Sequence, residues 1–348
     1  MRPFYQTTIK QDPVILGIES SCDETAAAII RGRKLLSNEI VSSASTQALY
    51  GGVVPEIASR VHAVAIDEVV ERAIRAAGIE KEEIDAVAVT YGAGLLGSLL
   101  VGLSFAKAFA YTLGVPLIAV NHIRGHLAAA YLDDETLKPP FVSLLASGGH
   151  TAVLYTKTET EFELVGSTLD DAAGEAFDKC ARVLSLPYPG GPNIERLAKE
   201  GKPCISFPKM CKGGEMRFSY SGLKTAVINY CHTKEQKGEP VIRADVAASF
   251  QSAALDVLVE KTVETARKKG VATVTAGGGV VANGYLRERL KSACDQAGIR
   301  LVLPEKKYCT DNAAMIASEG RIQYMAGNFA PLSVNAKAQI PLKDRSIS

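Results

Sequence analysis

Val14-Ile15-Leu16-Gly17-Ile18-Glu19-Ser20-Ser21-Cys22-Asp23-Glu24-Thr25 decides the fold. Six residues of apolar strand end in a carboxylate and turn through small, hydroxylated and acidic side chains. The apolar run 26–30 then resumes strand character, so the stretch reads as a hairpin with a polar tip. A third strand-like run covers 34–41. Residues 56–77 follow as an amphipathic helix, with Ile57, Val61, Val64, Ala65, Val69 and Ile74 near helical spacing. Strand 86–90, a glycine turn, helix 95–113, strand 116–120 and a helix carrying His122 and His126 complete the order β-β-β-α-β-α-β-α.

The second half repeats that order. Phe141–Ala146 reads as a strand, Ser147-Gly148-Gly149-His150 as a turn, Thr151–Thr156 and 162–167 as strands. Helices 171–184 and Arg243–Lys269, strand 271–276, turn Gly277-Gly278-Gly279, helix 283–297, strand 300–303 and helix 311–325 follow. An insert at 185–240, rich in Pro, Gly, Lys and aromatics, separates the first two helices. Two copies of one unit predict a duplicated α/β architecture, with a tail at 1–13 and domains at 14–135 and 136–348. The active site is expected in a cleft between the halves, where strand tips and glycine turns converge.

Composition narrows the function. The 348 residues exceed one ordinary core, and 47% hydrophobic with 22% charged residues is a globular balance. A net charge of +1 excludes a globally basic nucleic-acid binder, so any such partner must use a local patch. The seven cysteines are scattered without a C-x-x-C, which reads as reduced thiols in a cytoplasmic protein. The N-terminus lacks the apolar core of a signal peptide. Residues 86–106 carry no charge, but Gly92, Gly94, Gly97 and Gly102 interrupt them; strand, turn and buried helix explain the run better than a membrane span, and no membrane association is expected.

Three glycine turns offer backbone N–H groups to an anion. Gly92-Ala93-Gly94-Leu95-Leu96-Gly97 matches G-x-G-x-x-G, yet residues 98–120 contain no Asp or Glu, so the dinucleotide reading fails. Tight helix–strand packing explains part of that turn. Ser147-Gly148-Gly149-His150-Thr151 sits between two strands, and Gly277-Gly278-Gly279, leading to Ala282-Asn283-Gly284, opens a helix; three such loops in symmetric places of a duplicated fold favour an ATP-type ligand.

In Asn121-His122-Ile123-Arg124-Gly125-His126 the histidines share one helical face, roughly 6 Å apart at Cβ, which suits one metal ion or two ordinarily hydrogen-bonded histidines. Ile123 stands where a zinc protease of the H-E-x-x-H type has its glutamate base, so a protease reading of that type fails. A metal needs a third ligand, and Asp311, in Cys309-Thr310-Asp311-Asn312, has a plain N-cap as its ordinary role. Acidic candidates are Glu19, Asp23, Glu24, Asp170, Asp171, Glu175 and Asp178; Glu19, closing a buried strand, is the candidate general base. Lys202, Lys209, Lys212, Arg217 and Lys224, with Phe207, Phe218 and Tyr220 interleaved, make the insert a candidate RNA path or a solvated loop.

Gly17–Thr25 of the opening stretch, His122-x-x-x-His126, Ser147–Thr151, Asp171-Ala172-Ala173-Gly174-Glu175-Ala176-Phe177-Asp178-Lys179, Ser219-Tyr220-Ser221-Gly222-Leu223-Lys224 and Cys309–Asn312 together resemble the TsaD family, the bacterial tRNA N6-adenosine threonylcarbamoyltransferases. The resemblance runs from Val14 to Asn328. It implies the actin/Hsp70/sugar-kinase (ASKHA) fold and transfer of threonylcarbamoyl from threonylcarbamoyl-AMP to N6 of adenosine 37, beside the anticodon, in tRNAs reading ANN codons, forming t6A. It implies one divalent metal, Fe2+ or Zn2+, on His122, His126 and Asp311, holding the threonylcarbamoyl end. It places substrate binding, for threonylcarbamoyl-AMP or ATP/ADP, on Leu145, Ala146, Ser147, Gly148 and Gly149, with Asp178, Gly191 and Asn283. Implied partners are tRNA, a TsaB-like paralogue and a TsaE-like ATPase. Two positions depart from the family: Ala93 replaces the usual Pro, which leaves its loop less stiff, and Glu195 stands where many relatives have an Asp that touches substrate. Within the same superfold the competing activity is small-molecule phosphotransfer, which has no use for the two histidines.

Overall fold

The computed structural model describes residues 5, 8–48, 50, 52–208, 210 and 216–341. Its strands and helices run β1 Val14–Glu19, β2 Glu24–Arg31, β3 Lys34–Ser42, α1 Ala44–Ala48, α2 Pro55–Ala77, β4 Ala86–Gly92, α3 Leu96–Leu113, β5 Leu117–Asn121, α4 His122–Ala128 and α5 Ala130–Asp133. They continue with β6 Phe141–Ala146, β7 Thr151–Thr156, β8 Phe162–Thr168, α6 Ala173–Val183, α7 Gly190–Ala198, β9 Arg217–Phe218, α8 Ser221–Gln236, α9 Arg243–Lys269, β10 Thr273–Gly277, α10 Gly284–Ala297, β11 Arg300–Val302 and α11 Ala313–Met325.

Two compact units result: Met1–Leu137 with Asp311–Ser348, and Lys138–Thr310. The first holds a five-stranded sheet in the order β3-β2-β1-β4-β5, and the second a six-stranded sheet in the order β11-β10-β6-β7-β8-β9. Without its edge strand β9, the second order is the first one over again. The senses agree too: β1 pairs antiparallel with β2 and parallel with β4, as β6 does with β7 and β10. The repeat legible in the order of elements is therefore a repeat of topology.

In the first unit β1 alternates between two cores, as the two-residue period of a strand requires. Leu16 and Ile18 cluster with Ile66, Val69 and Leu103 of α2 and α3. Ile15 clusters with Met315, Ile316 and Tyr324 of α11. The sheet is thus covered on both faces, and α11 approaches it closely because two glycines allow it. A Cβ on Gly17 would lie 2.6 Å from the Ala313 carbonyl oxygen, and one on Gly320 would lie 2.4 Å from Ala88 Cβ.

This packing departs from the boundary expected at 136–348: the chain returns at Asp311 to finish the first unit. Among the described residues one helix, α3, is long and apolar enough to span a membrane by length and composition. Here it lies on β4 and α2, burying Leu99, Leu103, Ala106 and Ala110.

The second unit has one core in which β6, β7 and β10 pack with α6 to α10. The expected insert supplies α7 and α8 to it, so it is structural over much of its length. Phe218 and Tyr220, expected to offer rings to RNA bases, are fully buried, which corrects that reading. Lys209 and Lys212 lie outside the described residues.

Candidate active site

Asn121 ends β5 and caps α4, its Oδ1 accepting from the Ile123 N–H at 2.9 Å. That cap starts the helix at His122, so the two histidines fall on its first turn and a half with rings 4.7 Å apart. At the head of α11 the cap is Asn312, whose Oδ1 accepts from the Met315 N–H at 3.0 Å. The ordinary capping job is taken, and the Asp311 carboxylate is left to face the histidines.

His122 Nε2 lies 3.4 Å and His126 Nε2 3.3 Å from Asp311 Oδ1. Four ligands at zinc distances of about 2.0–2.1 Å in a tetrahedron lie roughly 3.3 Å apart. One ligand atom from each residue falls within 4.8 Å of the others, and the trio could hold a metal ion. The Nδ1 of His126 is buried with no hydrogen-bond partner, and its Nε2 makes no well-aligned hydrogen bond and has only the Asp311 carboxylate within reach, an unfavourable state that a ligand at Nε2 would relieve in part. Two imidazoles and one carboxylate suit zinc or ferrous iron, with positions left for substrate. All three residues belong to the first unit, so Asp311 is not contributed by the other domain, as the sequence position had implied.

Glu19 stands behind His122. Its Oε2 lies 3.1 Å from His122 Nδ1 and accepts from Thr90 Oγ1 at 2.6 Å; its Oε1 accepts from the Ser21 N–H at 2.5 Å. Ser21 Oγ also lies 3.1 Å from His122 Nδ1. Burial pushes the Glu19 carboxyl up, but the His122 ring and its hydrogen bond pull it below the ordinary value. For His122 burial works downward, and the charges of Asp311 and Glu19 overcome it, so the ring is held well above the usual histidine range. A fully buried carboxylate with both oxygens engaged is poorly placed to collect a proton from an incoming amine. Glu24, beside Ser42, is pushed up to about 8 by burial and then by the charges of Asp311 and Asp23. The surplus of negative charge around the trio is one that a divalent cation would offset.

The first glycine turn is spoken for by the chain itself. Leu95 N–H donates to the Ser21 carbonyl at 2.8 Å and Gly94 N–H to the Ala338 carbonyl at 3.0 Å. A Cβ on Gly94 would lie 2.6 Å from the Ser21 oxygen, so these glycines serve close packing and the Ala93 loop is tied at both ends.

The other two turns meet in the second unit, on a cavity of about 350 Å³ lined by Gly148, Gly174, Phe177, Asp178, Gly191, Pro192, Glu195, Gly279, Val280, Ala282 and Asn283. Gly278 has φ +101° and presses on β6, where a Cβ would lie 2.4 Å from the Ala146 carbonyl oxygen. Gly148 and Gly279 face open space. Five expected substrate residues thus line one cavity: Gly148, Asp178, Gly191, Glu195 and Asn283. Ser147 and Gly149 flank Gly148 in the turn, while Leu145 and Ala146 are core residues of β6 and outside the lining.

Glu195 Oε1 accepts from the Gly284 N–H at 3.0 Å, so the longer carboxylate braces the start of α10. Asp178 Oδ1 accepts from the Gly190 N–H at 2.7 Å, and burial pushes its carboxyl up. Asn283 Oδ1 caps α10 and its Nδ2 donates to Gln251 Oε1 at 2.9 Å. Gln251 was not singled out from sequence, since it lies within the long helix α9 as an ordinary interior residue.

Residues 34–318 match the family described as "TsaD: tRNA N6-adenosine threonylcarbamoyltransferase". A curated tRNA N6-adenosine threonylcarbamoyltransferase of Clostridium botulinum is 50% identical over 340 residues, 97% of this chain and 100% of that protein. Two solved structures share the fold at low identity. Full-length HypF in a phosphate- and nucleotide-bound form matches with TM-score 0.62 at 14% identity, covering 91% of this chain and 56% of that one. Component A of the Acidaminococcus fermentans (R)-2-hydroxyglutaryl-CoA dehydratase matches with TM-score 0.52 at 16% identity, covering 90% and 99%. The duplicated sheet is that of the actin/Hsp70/sugar-kinase class, and the chain belongs to the TsaD family of tRNA N6-adenosine threonylcarbamoyltransferases.

Proposed function

We propose that the chain transfers the threonylcarbamoyl group of threonylcarbamoyl-AMP to N6 of adenosine 37 in cytoplasmic tRNAs reading ANN codons, giving t6A. The observation that carries this reading is the convergence of His122, His126 and Asp311, with the His126 nitrogens otherwise unpartnered. A divalent cation held there, iron or zinc, would supply a Lewis acid for the carbamoyl carbonyl.

The chain's own residues do the rest. Glu19 holds the Nδ1 side of His122 and keeps Nε2 turned outward, which makes it a positioning residue in place of the base expected from sequence. Gly148 and Gly279 admit the adenylate to the second-unit cavity, and Asn283, fixed by Gln251, gives the nucleotide a rigid neighbour. In the transfer the N6 lone pair forms a bond to the carbamoyl carbon, the bond from that carbon to the AMP oxygen breaks, AMP leaves with the electron pair, and N6 loses a proton.

The TsaB-like paralogue and TsaE-like ATPase belong to this proposal as partners. The test is nucleoside mass spectrometry of unmodified tRNA after incubation with threonine, bicarbonate, ATP, the adenylate-forming enzyme and this protein, with and without those partners. Threonylcarbamoyladenosine is the expected product. Its absence from every mixture would leave a nucleotide-binding regulator, and γ-phosphate transfer to a small molecule would make the chain a phosphotransferase.

A further inference from the structure

The helix that carries both histidines is tied to the helix behind Asp311 by buried charges that the transfer reaction does not use. Arg124 lies two residues from each histidine, roughly 200° around the helix from either. Its Nε donates to Glu319 Oε1 at 2.6 Å, and the two side chains are only 6% and 4% exposed. Gln323 Nε2 donates to the same oxygen at 2.6 Å, and Asn328 Nδ2 to Gln323 Oε1 at 2.8 Å. Between Asp311 and this network α4 touches α11 closely: a Cβ on Gly125 would lie 2.8 Å from Ile316 Cδ1, and Ser318 Oγ donates to the Ala128 carbonyl at 2.8 Å.

A buried ion pair adds little net stability over apolar side chains of the same volume, because both charges lose their hydration. What it adds is direction. Apolar contacts such as Gly125 on Ile316 tolerate sliding, whereas a short charge-assisted hydrogen bond from a planar guanidinium does not. A shift of α4 along α11 by a fraction of an ångström would spoil the 3.3 and 3.4 Å ligand spacings. We propose that Arg124 and Glu319 are positioning residues for the His122–His126–Asp311 site, their buried pair fixing the register of α4 on α11. The inference rests on the metal reading of that site.

The test titrates metal-free full-length protein with Co2+, reading affinity by competition with a chromophoric chelator and geometry from the visible spectrum. Glu319→Gln and Arg124→Met each remove one charge of the buried pair and keep the other. The double variant Arg124→Met/Glu319→Leu leaves no lone charge and keeps an assay open if the single variants fail to fold. Ser37→Ala, which removes a buried hydrogen bond to the Ala73 carbonyl on α2, controls for lost stability alone. The expected result is one Co2+ per parent chain. Every folded Arg124 or Glu319 variant should bind about tenfold or more weakly with an altered spectrum, and Ser37→Ala should behave as the parent. A double variant that binds Co2+ within threefold of the parent and with its spectrum would overturn the inference. A parent that binds no Co2+ would instead overturn the metal reading, a separate failure that the parent titration alone reveals.

Discussion

At the scale of single residues the site depends on which atom of each side chain is left free. Asn312 takes the cap that Asp311 would otherwise make, and Glu19 takes the far side of His122. Glu19→Gln keeps the shape and removes the charge, and a lost outer-shell partner of a metal-bound histidine costs about 10–100-fold in metal affinity. Chelator competition should show a loss of that size, and an unchanged affinity would return Glu19 to a role in proton transfer.

The raised His122 value sets a pH dependence. A metal needs the neutral ring, so below the folded-state value a proton must leave before the metal can bind. Apparent affinity should keep rising beyond about pH 7.5, a unit above the ordinary histidine value, where an unshifted ring would be about nine-tenths neutral and the curve nearly flat; a plateau already reached by pH 7.5 would contradict this. The histidine pair was legible because i, i+4 spacing is local. Asp311 came only from the family resemblance, since nothing local says whether it or Asn312 caps the helix. The partnership of Glu19 with His122 spans 103 positions and has no local signal at all.

At the scale of elements the strand runs were legible and the packing partners were not. Apolar continuity marked β1, β4 and β6, and the tips between paired strands fell where small and acidic residues cluster. Helix α11 follows β11 in sequence and was read with the second half, but sequence order does not specify which sheet a helix covers. The glycines that decide it, Gly17 and Gly320, look like any others in the chain. Gly17→Ala should therefore push α11 off β1 and lower the unfolding free energy by about 1–3 kcal/mol in denaturant melts. A variant as stable as the parent would mean that the helix lies farther out than described. The helices α7 and α8 were missed because Pro, Gly and Lys interrupt their apolar positions, while Cys231 and Val227 sit in the core.

For the whole molecule, the same sheet order occurs twice, and the proposed function gives the two copies different tasks. The first unit contains the His122, His126 and Asp311 trio proposed to hold a metal, and the second contains the cavity proposed to take the nucleotide. Gly148→Val, whose new side chain meets only open space, should fill the cavity, abolish ADP binding and leave metal content at about one per chain. Asp311→Ala should do the reverse, as elemental analysis and ADP titration would show; loss of both properties in either variant would mean that the units do not hold them separately. The most direct test of the account is single-turnover transfer from preformed threonylcarbamoyl-AMP to unmodified tRNA, run with the parent protein and partners and again with His126→Ala. The account predicts a threonylcarbamoylated adenosine with the parent and a loss of at least a hundredfold in rate with the variant; transfer at the parental rate without His126 would contradict it.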